Sequence, residues 1–155
     1  DLDGLARSMA TAVVALRLCR PPGEPSVCAD AYGGLIDILA DSRSSISTDP
    51  IDGAANPDVA AVDSLMGAPW AESTVEAILT SATIRQAARN LGVHHSTMQS
   101  RLENLRTALG FEPLDGYGKA QLGVAYLLWR LHHSRVLDLP APGSLGSGPS
   151  ARTAP

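Results

Sequence analysis

Aromatic side chains make up only 4% of the 155 residues, with a single Phe, and there are just two Cys. So few aromatics mean that a core must be built from Leu, Val, Ile, Met and many Ala, a composition that favours helices over sheets. Cys19 and Cys28 lie nine residues apart. That is neither a C-x-x-C redox spacing nor a zinc spacing, and two cysteines cannot make a disulfide framework. They read as two small apolar side chains in a reducing compartment. No run of about 18 apolar residues occurs, so no membrane span is expected. No signal peptide precedes a cleavage site, which argues for the cytoplasm. There is no nucleophile elbow, phosphate-binding Gly loop, H-E-x-x-H or carboxylate pair on one helix face, so neither an enzyme nor a cofactor is expected. The histidines come as adjacent pairs, His94-His95 and His132-His133. Neighbouring helical residues point about 100° apart, so neither pair can chelate on one face, and no metal site is expected. The chain opens on Asp1 rather than Met and reads as part of a longer protein.

What is present rules out full disorder: 45% of the residues are apolar. The net charge of −4 hides an asymmetry. Residues 1–82 carry only Arg7, Arg17, Arg20 and Arg43 as bases and are strongly acidic. Residues 83–155 carry seven Arg and Lys119 against Glu103, Glu112, Asp115 and Asp138. A near-neutral average would have argued against a polyanionic partner, whereas the distribution directs attention to the basic half.

Periodicity predicts a helix over 3–20 with Leu5, Met9, Ala12, Val13 and Leu16 as its inward stripe. Pro21-Pro22-Gly23 ends it. Ser26-Val27-Cys28-Ala29 reads as a short strand, and 31–40 as a helix despite Gly33-Gly34. Residues 41–56 are rich in Ser, Asp, Pro and Gly and read as a linker. Asn56-Pro57 then pairs an N-cap with Pro at the first helical position, and Gly67 stops that helix. A second helix is expected over 70–81, with Val75, Ile78 and Leu79 inward. Thr83-Ile84-Arg85-Gln86 has the form of a capping box and opens a short helix over 84–91. Gly92 ends it, and a further helix runs from about His94–Ser96 to Gly110 with Met98, Leu102, Leu105 and Leu109 on one stripe. Asp115-Gly116 turns into a last helix over 117–134. Residues 137–155 are Pro- and Gly-rich and are expected to be a disordered tail. The fold class is all-α.

Two short helices joined by a tight turn, the second longer and polar outside, have the pattern of a helix-turn-helix. Ala87 and Ala88 allow close approach, while Leu91, Val93, Met98, Leu102 and Leu105 fill the space between helices. Gly92 sits where the turn calls for a positive φ. With Met98 inward, Ser96, Gln99, Ser100, Glu103 and Arg106 point sideways or away. Gln can bind adenine bidentately, Ser serves several bases, and Arg binds guanine or phosphate. Between Thr83 and Gly110 stand Arg85, Arg89, Arg101 and Arg106 against the single acid Glu103. Two ordinary packed helices would give the same hydropathy pattern, and the charge reversal at residue 83 favours DNA.

The stretches TVEAIL, IRQAARNLGVHHSTMQSRLENLRTALGF and QLGVAYLLWRL resemble the C-terminal helix-turn-helix domain of PucR/CdaR-type bacterial transcription regulators. The likeness rests on Ala87-Ala88, Val93-His94, Thr97-Met98, Arg101-Leu102 and Leu109-Gly110, and it runs without a gap from Trp70 to about His132. The HHST spelling and the high Arg and Ala usage resemble actinobacterial members. AYGGLIDILAD resembles the end of the regulatory domain that precedes the reader, with Gly33-Gly34 where Leu-Gly is commoner. The resemblance implies a three-helix DNA-reading core with flanking helices, placed at the end of a longer regulator and usually dimeric. It implies base contacts for His95, Ser96, Thr97, Gln99 and Ser100. Thr83, Arg85, Arg101 and Arg106 are the phosphate candidates. Competing structural roles exist. Arg101 flanks the apolar stripe and can serve an internal contact; Thr97 can pack on the preceding helix. His94 is better placed to cap than to read, and Glu103 can pair with Arg106.

The last helix is apolar nearly all round. Leu122, Ala125, Tyr126 and Trp129 form one side, and Val124, Leu127, Leu128 and Leu131 the other. One side can pack on the reader; the other calls for either residues 1–40 or a second copy in a homodimer. The expected organisation is a mostly helical end of an upstream regulatory segment (1–40), a linker (41–56), a DNA-binding domain (57–136) and a tail (137–155). The expected function is sequence-specific binding of double-stranded DNA in the cytoplasm, at the nucleoid. The alternative is a helical interaction module that dimerises without DNA.

Overall fold

The structure is a computed structural model that describes residues 2–20, 26–45 and 56–138. Seven α-helices and no sheet form among the described residues: α1 (Leu2–Leu18), α2 (Gly34–Ser45), α3 (Pro57–Met66), α4 (Ala71–Thr80), α5 (Ile84–Asn90), α6 (His95–Leu109) and α7 (Gly118–His133). The all-α expectation is met. No helix is long and apolar enough to cross a membrane among the described residues.

Local chemistry sets most boundaries. Asn56 Oδ1 accepts from the amides of Asp58 and Val59 at 3.1 and 3.3 Å, fixing the start of α3 just ahead of Pro57. Thr83 Oγ1 accepts from the Gln86 amide at 3.2 Å. The Gln86 side chain reaches back as a capping box requires, but one residue further than expected, to the amide of Ala82. Gly110 ends α6 with φ 74°, a left-handed conformation that a Cβ would oppose.

Two expectations fail in the N-terminal part. Ser26–Ala29 is no strand: Cys28 is extended but leads into a 3-10 turn over Ala29–Tyr32. A lone extended segment has no ladder partner among the described residues, so nothing holds it as a strand. The inward stripe of α1 is also reversed. Val14, Ala15 and Leu18 are buried, whereas Leu5, Met9 and Leu16 are 59%, 63% and 44% exposed. α1 carries apolar residues on opposite faces, and packing chose the smaller, more C-terminal set. Of the expected linker, 41–45 belongs to α2, 46–55 lies outside the described residues, and Asn56 caps α3. Of the expected tail, 137–138 belongs to a 3-10 turn over Val136–Asp138, and 139–155 lies outside the described residues.

Two cores meet on α7. The larger joins α3 to α7 and contains Ile78, Ala87, Met98, Leu102, Leu105 and Leu122. The smaller joins α1, α2 and α7 through Val14, Leu18, Ile36, Leu39, Leu127 and Leu131. The second apolar side of α7 is therefore covered from within the chain, apart from Val124, which is 40% exposed.

A polar network ties the two layers. Arg20, just after α1, pairs with Glu72 at 2.9 Å and also with Glu76, both on α4. Arg130 of α7 donates to the Leu18 carbonyl. Tyr126 Oη donates to Glu76 at 2.7 Å. Burial pushes the Tyr126 phenol above its ordinary range, with Glu72 adding to the shift and Arg20 opposing it. The folded state thus keeps a proton that the unfolded chain loses above about pH 10. Its contribution is complete below that pH and fades as pH climbs further. Tyr126→Phe is expected to cost roughly 1–3 kcal/mol at pH 7, because the acceptor is charged. Urea unfolding of the two proteins at pH 7 checks this; equal midpoints would mean that water replaces the bond without loss.

Candidate nucleic-acid interface

The turn between α5 and α6 is built by three backbone hydrogen bonds around one residue of positive φ. Leu91 caps α5, its amide bonding to the Ala87 carbonyl. Gly92 follows with φ 64°, and its amide bonds to the Arg89 carbonyl at 3.1 Å. Val93 N–H then returns to the Ala88 carbonyl at 3.0 Å. A residue with a Cβ would be strained at Gly92. His94 has left the helical region, and its Nδ1 accepts from the Ser96 amide at 3.3 Å, so it caps α6 as expected.

Ala87, Ala88, Met98, Leu102 and Leu105 are buried, and Leu91 and Val93 are half-buried against the same core. Small side chains at Ala87 and Ala88 let α5 and α6 approach, and the stripe of α6 faces inward over its whole length. The opposite side of α6 is therefore presented to solvent.

The expected base-contact residues divide. Thr97, Gln99 and Ser100 are exposed, and no side-chain hydrogen bond engages them among the described residues. Thr97 is thus not packed against α5. Ser96 is exposed, with its hydroxyl 2.8 Å from His94 Nδ1, so it is partly occupied by the cap. His95 is half-buried, and its Nδ1 is buried without a hydrogen-bond partner among the described residues.

The phosphate candidates divide more sharply. Thr83, Arg85 and Arg89 are exposed on or beside α5. Arg101 turns inward: its guanidinium lies 5.7 Å over the Trp70 ring and donates to Thr74 Oγ1 at 3.2 Å. Thr74, a fully buried hydroxyl that itself donates to the Trp70 carbonyl at 2.6 Å, gives Arg101 an internal role. Arg106 is shared between Glu103, at 3.2 Å, and Glu112. The hydrogen bond to Glu112 leads in raising its pKa above the ordinary arginine value, with Glu103 adding to it. The basic stretch therefore presents less charge to solvent than its composition suggests. Sequence reasoning gave Glu112 no part, because it lies beyond the end of α6 and reaches Arg106 only through the turn after Gly110. Arg89, one turn along the short helix from Arg85, is exposed as well, and its place in the basic stretch is the sequence signal for it.

Residues 73–128 match the family model of the PucR C-terminal helix-turn-helix domain. This segment is a PucR-type helix-turn-helix. No curated protein and no solved structure matches the chain. The PucR-type family is one of DNA-binding domains of transcription regulators, a non-enzymatic kind. The match begins inside α4 and ends inside α7, so the PucR-type segment covers the helices that contribute most of the larger core.

Proposed function

We propose that residues 57–136 bind double-stranded DNA sequence-specifically, with α6 in the major groove and α5 across the backbone. The observation that carries this reading is the outward N-terminal half of α6, where Thr97, Gln99 and Ser100 stand exposed with their side chains unengaged. Unengaged amide and hydroxyl groups are the chemistry that base edges recognise. Ser96 and His95 flank them as further base contacts. Thr83 and Arg85 take the phosphates, joined by Arg89. Arg106 contributes less, because Glu103 and Glu112 offset its charge, and Arg101 acts mainly by holding α4 to α6. The domain serves a regulator in the cytoplasm, at the nucleoid, and residues 1–40 are the end of its upstream regulatory segment.

Two measurements test this. In a binding-site selection, Gln99→Ala is expected to change base preference at one or two positions, by about 1–3 kcal/mol. An unchanged preferred sequence would remove Gln99 from the groove. In a gel shift titrated with salt, Arg85→Ala with Arg89→Ala is expected to weaken all sequences alike. The salt slope should fall by about 0.9 for each phosphate that the double variant no longer neutralises. An unaltered slope would put α5 off the backbone.

One observation favours the other reading, a helical interaction module. The apolar face of α1 formed by Leu5, Met9 and Leu16 is outward. A homodimer through residues 117–134 draws less support, since α1 and α2 cover most of the face that called for a second chain. The absence of any gel shift, even at low salt, would favour the module.

A further inference from the structure

The end of α1, the end of α7 and the 3-10 turn at Val136–Asp138 enclose a cleft of about 390 Å³. Its size falls within the roughly 300–1,000 Å³ of small-molecule sites. Four guanidiniums line it, from Arg17, Arg20, Arg130 and Arg135, together with His133 and a single carboxylate, Glu72. Arg20 is already paired with Glu72 and Glu76, and Asp63, beside the cleft, faces His133 at 3.3 Å and accepts from Trp129 Nε1 at 2.9 Å, so the unoffset charge is that of Arg17 and Arg135. Arg130 donates to the Leu18 carbonyl and lies over the Tyr126 ring. No carboxylate among the described residues pairs with Arg17 or Arg135, although the N-terminal half of the chain is rich in acids. Like charges such as Arg17 and Arg135 repel when no carboxylate offsets them, and an anion between them removes that repulsion.

Two donors in the same cleft also lack an acceptor. Arg17 Nε and Ser134 Oγ are buried with no hydrogen-bond partner among the described residues. An N–H can only donate, and the hydroxyl is able to, so an oxyanion satisfies both. The rest of the wall is apolar or planar. Cys19, Val136 and Trp129 line it, and the Trp129 ring stacks on His133 with centroids 4.7 Å apart. Arg17 is half-buried and Arg135 exposed, so the cleft is reachable from solvent on its charged side.

We propose that this cleft binds a small organic oxyanion. Its carboxylate or phosphate head lies among Arg17, Arg135 and Ser134, and its apolar or planar body along Trp129. The proposal is independent of the DNA reading, since none of these residues belongs to α5 or α6.

Calorimetric titration of the full chain at fixed ionic strength tests it with three probes: benzoate, inorganic phosphate and uncharged benzamide. Saturable binding of benzoate but not benzamide is expected, weakened at least tenfold by Arg17→Gln and by Arg135→Gln. Saturable phosphate binding abolished in the same variants would also support the site and would assign the head to phosphate. Heat that does not saturate with either anion would overturn the proposal, as would affinities unchanged in both variants. Helicity by circular dichroism controls for folding; if Arg17→Gln fails to fold, the exposed Arg135→Gln decides the outcome alone.

Discussion

Truncating Leu102 to Ala is expected to lower the stability of the reader by roughly 2–5 kcal/mol, the cost of lost burial plus the cavity left behind. Leu102 sits in the middle of α6 and is 1% exposed. Its neighbours along the stripe, Met98 and Leu105, are fully buried, so little can collapse into the space. Fixed backbone bonds at the α5–α6 turn further limit relaxation. Urea unfolding followed by circular dichroism measures the loss. Leu39→Ala, on α2 and equally buried, provides the comparison. Because α7 contributes to both cores, Leu39→Ala is expected to lower the same single transition by a similar amount. Two separate transitions would show that the α1–α2 layer folds apart from the reader.

Gly118→Ala is expected to be as damaging, by about 3 kcal/mol or more, at or beyond the upper end of ordinary overpacking. Gly118 is the first residue of α7 and is buried. A Cβ there would overlap the Glu112 carbonyl oxygen and lie 2.9 Å from the carbonyl carbon and 3.3 Å from Pro113 Cα. All three are backbone atoms and cannot rotate away. Pro113 is fully buried and its φ is fixed, so the 112–118 turn has little freedom to yield. The strain would pass to α7, on which both cores depend, and to Glu112, which holds Arg106. Gly123→Ala supplies the contrast in the same helix. Its Cβ would meet only Leu79 Cδ2 at 3.5 Å, an ordinary contact. That change is expected to be neutral or stabilising by up to about 1 kcal/mol through helix propensity. Thermal unfolding of the two variants tests the pair, and equal melting temperatures would show the Glu112 approach to be looser than the geometry implies.

Much of the reader was legible because its signals are local. Asn56, Thr83 and His94 cap the helices they were expected to cap, and Gly92 and Gly110 have the positive φ their positions suggest. Capping chemistry involves residues two to four apart, so it can be read without tertiary information. The stripe from Met98 to Leu109 was equally plain, since one face of α6 is apolar and the other polar. Where a helix offers two apolar faces, periodicity has no means of choosing. α7 has two and buries both, whereas α1 has two and leaves Leu5, Met9 and Leu16 outward.

Charge shows the same division. The sequence alone located the basic stretch between Thr83 and Gly110, which lies within the segment 73–128 that matches the PucR-type domain. It also determined the helical class, most helix ends and the packed residues of the turn, because these follow from neighbours along the chain. Only the tertiary structure decided which guanidiniums face solvent. Arg101 is drawn to Trp70 and Thr74, and Arg106 to Glu112, by partners that sequence spacing does not bring together. It alone gathered Arg17, Arg130 and Arg135 into one cleft from opposite ends of the chain. A long, flexible side chain has a charge fixed by its identity, but its direction is set by whatever the fold places within reach.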